Sequence, residues 1–129
     1  MLAIDTNIVV RLITADDPGQ AQAVRRLLET ESVFVPTTVL LEAEWVLRST
    51  YGLDKGSVVA VLAGFCALPN VTLGEPDRTT VALTWAKSGM DFADALHLAG
   101  ADGCDAFVTF DRKLAKSADN PGAPPVRLI

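Results

Sequence analysis

The sequence predicts an α/β fold of three layers, with helices on both faces of a mostly parallel central sheet of about five strands. Three observations predict it. Short apolar, β-rich runs alternate with helical patterns along all 129 residues, the arrangement that favours parallel strands joined by crossover helices. Half of the residues are hydrophobic and 21% are charged, a globular composition that can bury a core and excludes a disordered chain. No internal repeat, low-complexity tract or linker interrupts the pattern, so residues 1–129 read as a single domain.

The elements follow in order. Residues 2–4 form the first strand, ended by Asp5-Thr6-Asn7; in the plainer role of a cap, Asp5 would start a helix near Ile8. Asp16-Asp17-Pro18 marks a helix start, because proline suits the first turn, and helical spacing runs over 21–29. Residues 33–35 form the second strand, and a helix over 38–49 stops at Tyr51-Gly52. A helix over 55–67 precedes the third strand, 71–73, and another over 77–87 stops at Ser88-Gly89. A helix over 92–101 leads to a strand over 106–109 and a short helix over 112–118. Asn120-Pro121-Gly122-Ala123-Pro124-Pro125 is a loop that carries the chain to its last strand, 126–128.

Composition narrows the function classes. The longest uncharged apolar stretch, 58–68, is far short of the roughly 18–20 residues a membrane span needs. Asp5 comes too early to leave room for the apolar region of a secretory leader. Cys66 and Cys104 lie in apolar surroundings and read as buried free thiols, which suit a reducing cytoplasm. The net charge of −5, from 11 basic and 16 acidic residues, argues against a nonspecific nucleic-acid binder, which normally shows a basic footprint. Two features offset this. Some of the acids have the pattern of metal ligands, and a bound divalent ion reverses the local field. Basic residues also cluster, as Arg25-Arg26 and as Arg112-Lys113 with Lys116.

Four carboxylates carry the chemistry: Asp5, Glu42, Asp94 and Asp111. Each sits where an acid ought to be costly, at the end of an apolar strand or within the apolar stretch of a helix. Such groups resist desolvation and repel one another unless something positive holds them. A divalent hard cation with oxygen ligands is the simplest compensation. In open α/β sheets, ligands bind beyond the carboxyl ends of the strands. Asp5 follows strand one, Glu42 lies in the helix after strand two, and Asp111 stands two residues past Thr109. The four segments are therefore expected to bring their acids to one edge.

Plainer roles compete. Asp5 and Asp111 also suit helix caps, and Asp91, three residues before Asp94, reads first as an N-cap in a capping-box-like pair. Its other reading is a supporting metal ligand. Glu42 has a solvated surface acid as its alternative; Glu44, two residues on, falls on a different helical face. His97, the only histidine, reads as a packed or surface group. Trp45 and Trp85 read as core or subunit-interface residues. Thr6, Asn7 and Thr109 flank the acids and are placed to orient them by hydrogen bonds. Arg11 and Arg112 are candidates to meet phosphates, with solvated charge as the alternative. The glycine-rich phosphate loops, the nucleophile elbow and zinc-type Cys/His spacings are all absent.

The opening Leu-Ala-Ile-Asp-Thr-Asn, the helix Val-Leu-Leu-Glu-Ala-Glu-Trp-Val-Leu, the segment Asp-Phe-Ala-Asp-Ala-Leu-His-Leu-Ala and the strand exit Val-Thr-Phe-Asp-Arg-Lys-Leu together resemble the PIN-domain ribonucleases. Within these, the resemblance is to the VapC-type toxins of prokaryotic toxin–antitoxin pairs. The motifs occur in the family's order, from the first strand to near the last helix. By resemblance, Asp5 matches the first acid, Glu42 the helical glutamate, Asp94 the acid before the family's apolar helix and Asp111 the last acid. Asp91 matches an additional acid found in part of the family, and Thr109 a small hydroxyl residue beside the metal site. The resemblance implies hydrolysis of RNA with one or two Mg²⁺ or Mn²⁺ ions held by the carboxylates, and Glu42 or Asp94 orienting the attacking water. It also implies a homodimer and a cognate antitoxin. Single strands or loops, as in transfer or ribosomal RNA, are the expected substrate, because side chains cannot read the deep groove of duplex RNA. The strongly acidic charge balance departs from what such a substrate surface would suggest.

Three readings compete with the endoribonuclease. A phosphoacceptor receiver domain needs an Asp after the third strand and a Lys after the fifth; here Gly74-Glu75-Pro76 follows the third, and the fifth nearly ends the chain. A catalytically inert binding module would keep the fold without needing its acids, yet all four are present. Metal-dependent hydrolysis of DNA would use the same carboxylates.

Overall fold

The computed structural model describes residues 1–129. The chain divides into two compact units, Met1–Pro76 and Asp77–Ile129. In the first, β1 (Leu2–Ala3), β2 (Val33–Val35) and β3 (Val71–Leu73) form a parallel sheet in the order β1-β2-β3. Leu2 pairs with Val33, and Val33 with Val71. Between β1 and β2 come α1 (Thr6–Thr14) and α2 (Pro18–Thr30); between β2 and β3 come α3 (Thr37–Ser49) and α4 (Lys55–Cys66). The second unit holds α5 (Pro76–Lys87) from its second residue on, then α6 (Phe92–Gly100), β4 (Phe107–Thr109), α7 (Arg112–Ser117) and β5 (Val126–Leu128). β4 and β5 pair in parallel, Phe107 opposite Val126.

The α/β class and the parallel strand direction agree with the sequence reading, but the central sheet does not. The five strands do not share one ladder; they form a three-stranded and a two-stranded sheet. Alternating patterns report how many strands there are and which way they run. They do not report which strand pairs with which, because pairing is set by backbone hydrogen bonds between distant segments.

Local chemistry explains the boundaries. Asp17 caps α2 by accepting a bond from the Gln20 amide at 3.1 Å, with Pro18 at the first helical position. Asp54 caps α4 through the Ser57 amide at 3.1 Å. Gly52 and Gly89 follow α3 and α5 with φ of 66° and 112°, a left-handed region in which other L residues are strained. Asp5 does take the capping role that was its alternative, and the helix it starts begins at Thr6, two residues before Ile8.

The core of the first unit is built on β2, whose Val33 and Val35 are buried. In α3 the buried positions are Leu40, Ala43, Glu44 and Leu47, a stripe at helical spacing. Val58, Val59, Leu62 and Phe65 contribute from α4. The second unit buries Leu83 and Trp85 of α5, Phe92, Ala95 and Leu98 of α6, and Leu114 of α7. Each large side chain so buried contributes about 1.5–3 kcal/mol. Trp85 joins the core as expected, whereas Trp45 is 58% exposed and does not. Both cysteines are free, but only Cys66 is substantially covered; Cys104 is exposed, against the expectation of two buried thiols. Its place in the turn after α6 explains this, since loops run over the surface. No helix is long and apolar enough to cross a membrane.

Candidate functional site

In the first unit, Asp5 stands at the carboxyl end of β1, one residue past Ile4, whose amide bonds to the Phe34 carbonyl at 3.0 Å. Asp5 is the N-cap of α1 and its Oδ1 accepts from the Thr6 amide at 2.8 Å. Its Oδ2 makes no hydrogen bond. Thr6 is buried, 5% exposed, so the next residue anchors the carboxylate from below. Glu42 lies in α3, exposed and with no hydrogen bond or ion pair. Asn7 is exposed and lines a groove with Ile8, Arg11, Gln20, Ala23 and Val24.

Glu44 is the acid whose importance the sequence reading missed. It is 1% exposed and lies on the buried stripe of α3. Arg48 satisfies it with two bonds, Nε to Oε1 at 2.6 Å and Nη2 to Oε2 at 3.0 Å. The signal was present: an acid followed four residues later by arginine is a helix pair. Glu42 and Glu44 thus have opposite environments two residues apart, as their helical offset requires.

Arg11 is not a solvated charge. Its Nε donates to Gln20 Oε1 at 2.7 Å, and its Nη1 to Asp16 Oδ1 at 3.2 Å and to the Tyr51 hydroxyl at 3.1 Å. Tyr51 in turn donates to Asp16 Oδ2 at 2.6 Å, and Thr14 to Asp16 Oδ1 at 3.0 Å. The Tyr51 bond, then Thr14 and the Arg11 charge, hold the Asp16 carboxyl below the usual range. Only Nη2 of the guanidinium is left without a partner.

In the second unit, Asp91 is the N-cap of α6 and its Oδ2 accepts from the Asp94 amide at 3.1 Å. The capping role expected for it is realised. Asp94 occupies the first turn, half-buried like Asp91. Thr109, at the end of β4, accepts a bond from the Asp111 amide on its Oγ1 at 3.0 Å. Asp111 caps α7, its Oδ1 taking the amides of Lys113 at 2.9 Å and Leu114 at 3.1 Å. Its Oδ2 is unbonded. Arg112 and His97 are exposed and make no hydrogen bond. A concavity around Trp85, lined also by Arg78, Val81, Ala99 and Pro124, contains none of these acids.

Within each unit, then, predicted residues meet locally and through backbone amides: Thr6 to the Asp5 carboxylate, Asp94 to the Asp91 carboxylate, and Asp111 to the Thr109 hydroxyl. In neither unit do three His, Cys, Asp or Glu side chains gather closely enough to hold a metal ion. The donors each unit offers are carboxylate oxygens, the ligand type a hard divalent cation takes. Asp5, Asp91 and Asp111 each commit one carboxylate oxygen to a helix amide and keep the other without a hydrogen bond. A cap and a cation therefore need not compete for the same oxygen.

Residues 2–120 match the family model for the PIN domain. The chain belongs to the PIN-domain family. No curated protein matches it. PIN domains are in general nucleases, hydrolases that act on nucleic acids and typically use divalent metals. The match spans both compact units of this PIN domain and includes all four candidate acids.

Proposed function

We propose that this PIN domain is a Mg²⁺- or Mn²⁺-dependent endoribonuclease and the VapC-type toxin of a toxin–antitoxin pair. The observation that carries the reading is the shared state of its acids. Asp5 and Asp111, at the carboxyl ends of parallel strands, each retain an unbonded oxygen after capping a helix, and Glu42 has no partner. Asp5, Glu42, Asp94 and Asp111 would hold the ion, with Asp91 as an additional ligand. The chemistry such an ion supplies is charge neutralisation at the scissile phosphate and acidification of water.

The chain's own residues do the rest. Asp5 and Asp111 are held in place by the helix amides they cap. Thr109 fixes the backbone at Asp111 through its hydroxyl, so that carboxylate arrives already oriented. Glu42 or Asp94 orients the attacking water by accepting a hydrogen bond from it. Arg112, exposed beside Asp111, and Arg11, through its remaining Nη2, contact substrate phosphates. The substrate is RNA in single strands or loops, of the transfer or ribosomal kind. The protein works in the cytoplasm as a homodimer and is silenced by a cognate antitoxin.

Cleavage of a labelled structured RNA by wild type and Asp5→Asn, in Mg²⁺, Mn²⁺ or EDTA, tests this. Metal-dependent cutting that vanishes in the variant supports the nuclease. A DNA substrate run in parallel separates the two nucleic acids. No cutting, with no metal binding by calorimetry, overturns the reading in favour of a PIN-fold binding module.

A further inference from the structure

Phe110 is 80% exposed, more than any other large hydrophobic residue of the chain, and it stands between Thr109 and Asp111. Its backbone is held on both sides. The Asp111 amide bonds to Thr109 Oγ1 at 3.0 Å, and the Ile129 amide bonds to the Thr109 carbonyl at 3.1 Å. The ring is therefore presented from a fixed mount at the exit of β4. Val108 pairs in register with Arg127, so both project from one face of the two-stranded sheet. Phe110 and Ile129 each stand two residues farther along. Val108 is 51% and Ile129 60% exposed, so this face is apolar and open.

Charge identifies the occupant. The chain carries −5, yet residues 106–129 hold four basic side chains, Arg112, Lys113, Lys116 and Arg127, against two acids, Asp111 and Asp119. None of the four cations is in an ion pair or a side-chain hydrogen bond. An exposed aromatic ring on a segment with an excess of unpaired cations suits a polyanion with flat apolar groups. We propose that this face of β4 and β5 seats single-stranded RNA, one base stacking on Phe110 while the flanking phosphates meet Arg127 and Arg112. The choice of ligand rests on the nuclease reading, because the seat adjoins Asp111. Stacking on an aromatic ring tolerates any base, so this seat adds affinity and register without sequence preference.

The test is binding of a fluorescein-labelled 12-nucleotide oligouridine in EDTA, followed by anisotropy, with metal-dependent cleavage measured in parallel. Phe110→Leu keeps the apolar surface and removes the stack; it should weaken binding about tenfold. Phe110→Trp should restore it, with indole fluorescence quenched on binding. Arg127→Gln and Arg112→Gln should each lower the salt slope by about one. Unchanged binding by Phe110→Leu, with wild type still cutting RNA, overturns the seat and leaves the nuclease standing. Phe110-dependent binding without cutting by wild type keeps the seat and removes the nuclease. If wild type does not bind the oligonucleotide, or if Phe110→Leu changes only the sedimentation coefficient, the seat is wrong, and the second outcome makes the face a contact between copies.

Discussion

Arg48 grips the carboxylate of Glu44 from one helical turn away, its Nε at 2.6 Å from one oxygen and its Nη2 at 3.0 Å from the other. Glu44 is 1% exposed and Arg48 31%, so the acid is buried and the base reaches solvent. This is the arrangement in which removing the base is worse than removing both partners, because a buried charge is left alone. Arg48→Ala should cost roughly 3 kcal/mol, near the low end for a buried pair since Arg48 is partly solvated. The double change Glu44→Met with Arg48→Met should cost less than Arg48→Ala alone. Urea unfolding midpoints measure both; a wild-type midpoint for Arg48→Ala would refute the account.

The capping acids separate structure from chemistry. Asp5, Asp91 and Asp111 cap α1, α6 and α7, so replacing each with Ala should cost about 1 kcal/mol in stability. Asn caps about as well as Asp but brings no charge to a cation. Asp5→Asn and Asp111→Asn should therefore melt like wild type and lose RNA cleavage. Glu42→Gln, at an exposed unbonded position, should stay within about 0.5 kcal/mol of wild-type stability and also lose cleavage. Normal cutting by all three, with unchanged melting, would remove the carboxylates from the chemistry.

The Asp16 carboxyl lies below its ordinary value of 3.8, chiefly through the bond from Tyr51. A depressed carboxyl pKa adds stability that is complete above 3.8 and disappears as pH falls through the folded-state value. Tyr51→Phe should thus lower the melting temperature slightly at neutral pH, and the gap should close in acid. Carbon-detected titration of Asp16 in the variant should show its carboxyl returning toward 3.8. A melting difference that stays constant down to the acid limit would point to lost packing alone.

The two thiols should react at different rates. Burial pushes the Cys66 thiol up from 9.0 to about 11, so it remains protonated at pH values where an ordinary cysteine begins to ionise. Cys104 is exposed. A disulfide reagent near pH 8 should modify one thiol quickly and the second only after denaturant is added, and Cys104→Ser should abolish the fast phase. Two fast phases in the native protein would contradict the burial of Cys66.

Much of this was legible in the order of residues. The apolar runs at 33–35 and 71–73 are strands, and Asp17-Pro18, Gly52 and Gly89 bound helices as their backbone chemistry dictates. These are local effects, settled within a few residues. The cap at Asp91 belongs with them; the cost expected of Glu42 does not, because its side chain stands in solvent beside a buried stripe. The PIN motifs were readable for a related reason: each is a short string with its own local geometry.

The rest depended on residues far apart in the chain. Which strands share a ladder is decided by pairing between distant segments, as between Leu2 and Val33 or Phe107 and Val126, and no local preference encodes it. Arg11 reads as a free cation until Tyr51, 40 residues away, is brought to it. Phe110 reads as one more apolar residue after a strand, and only the packed chain leaves its ring 80% in solvent. The sequence by itself determined the element types, the helix ends and the identity of the acids, because backbone and side-chain preferences act over single turns. Tertiary structure alone decided pairing, burial and partner, because those are properties of which surfaces meet.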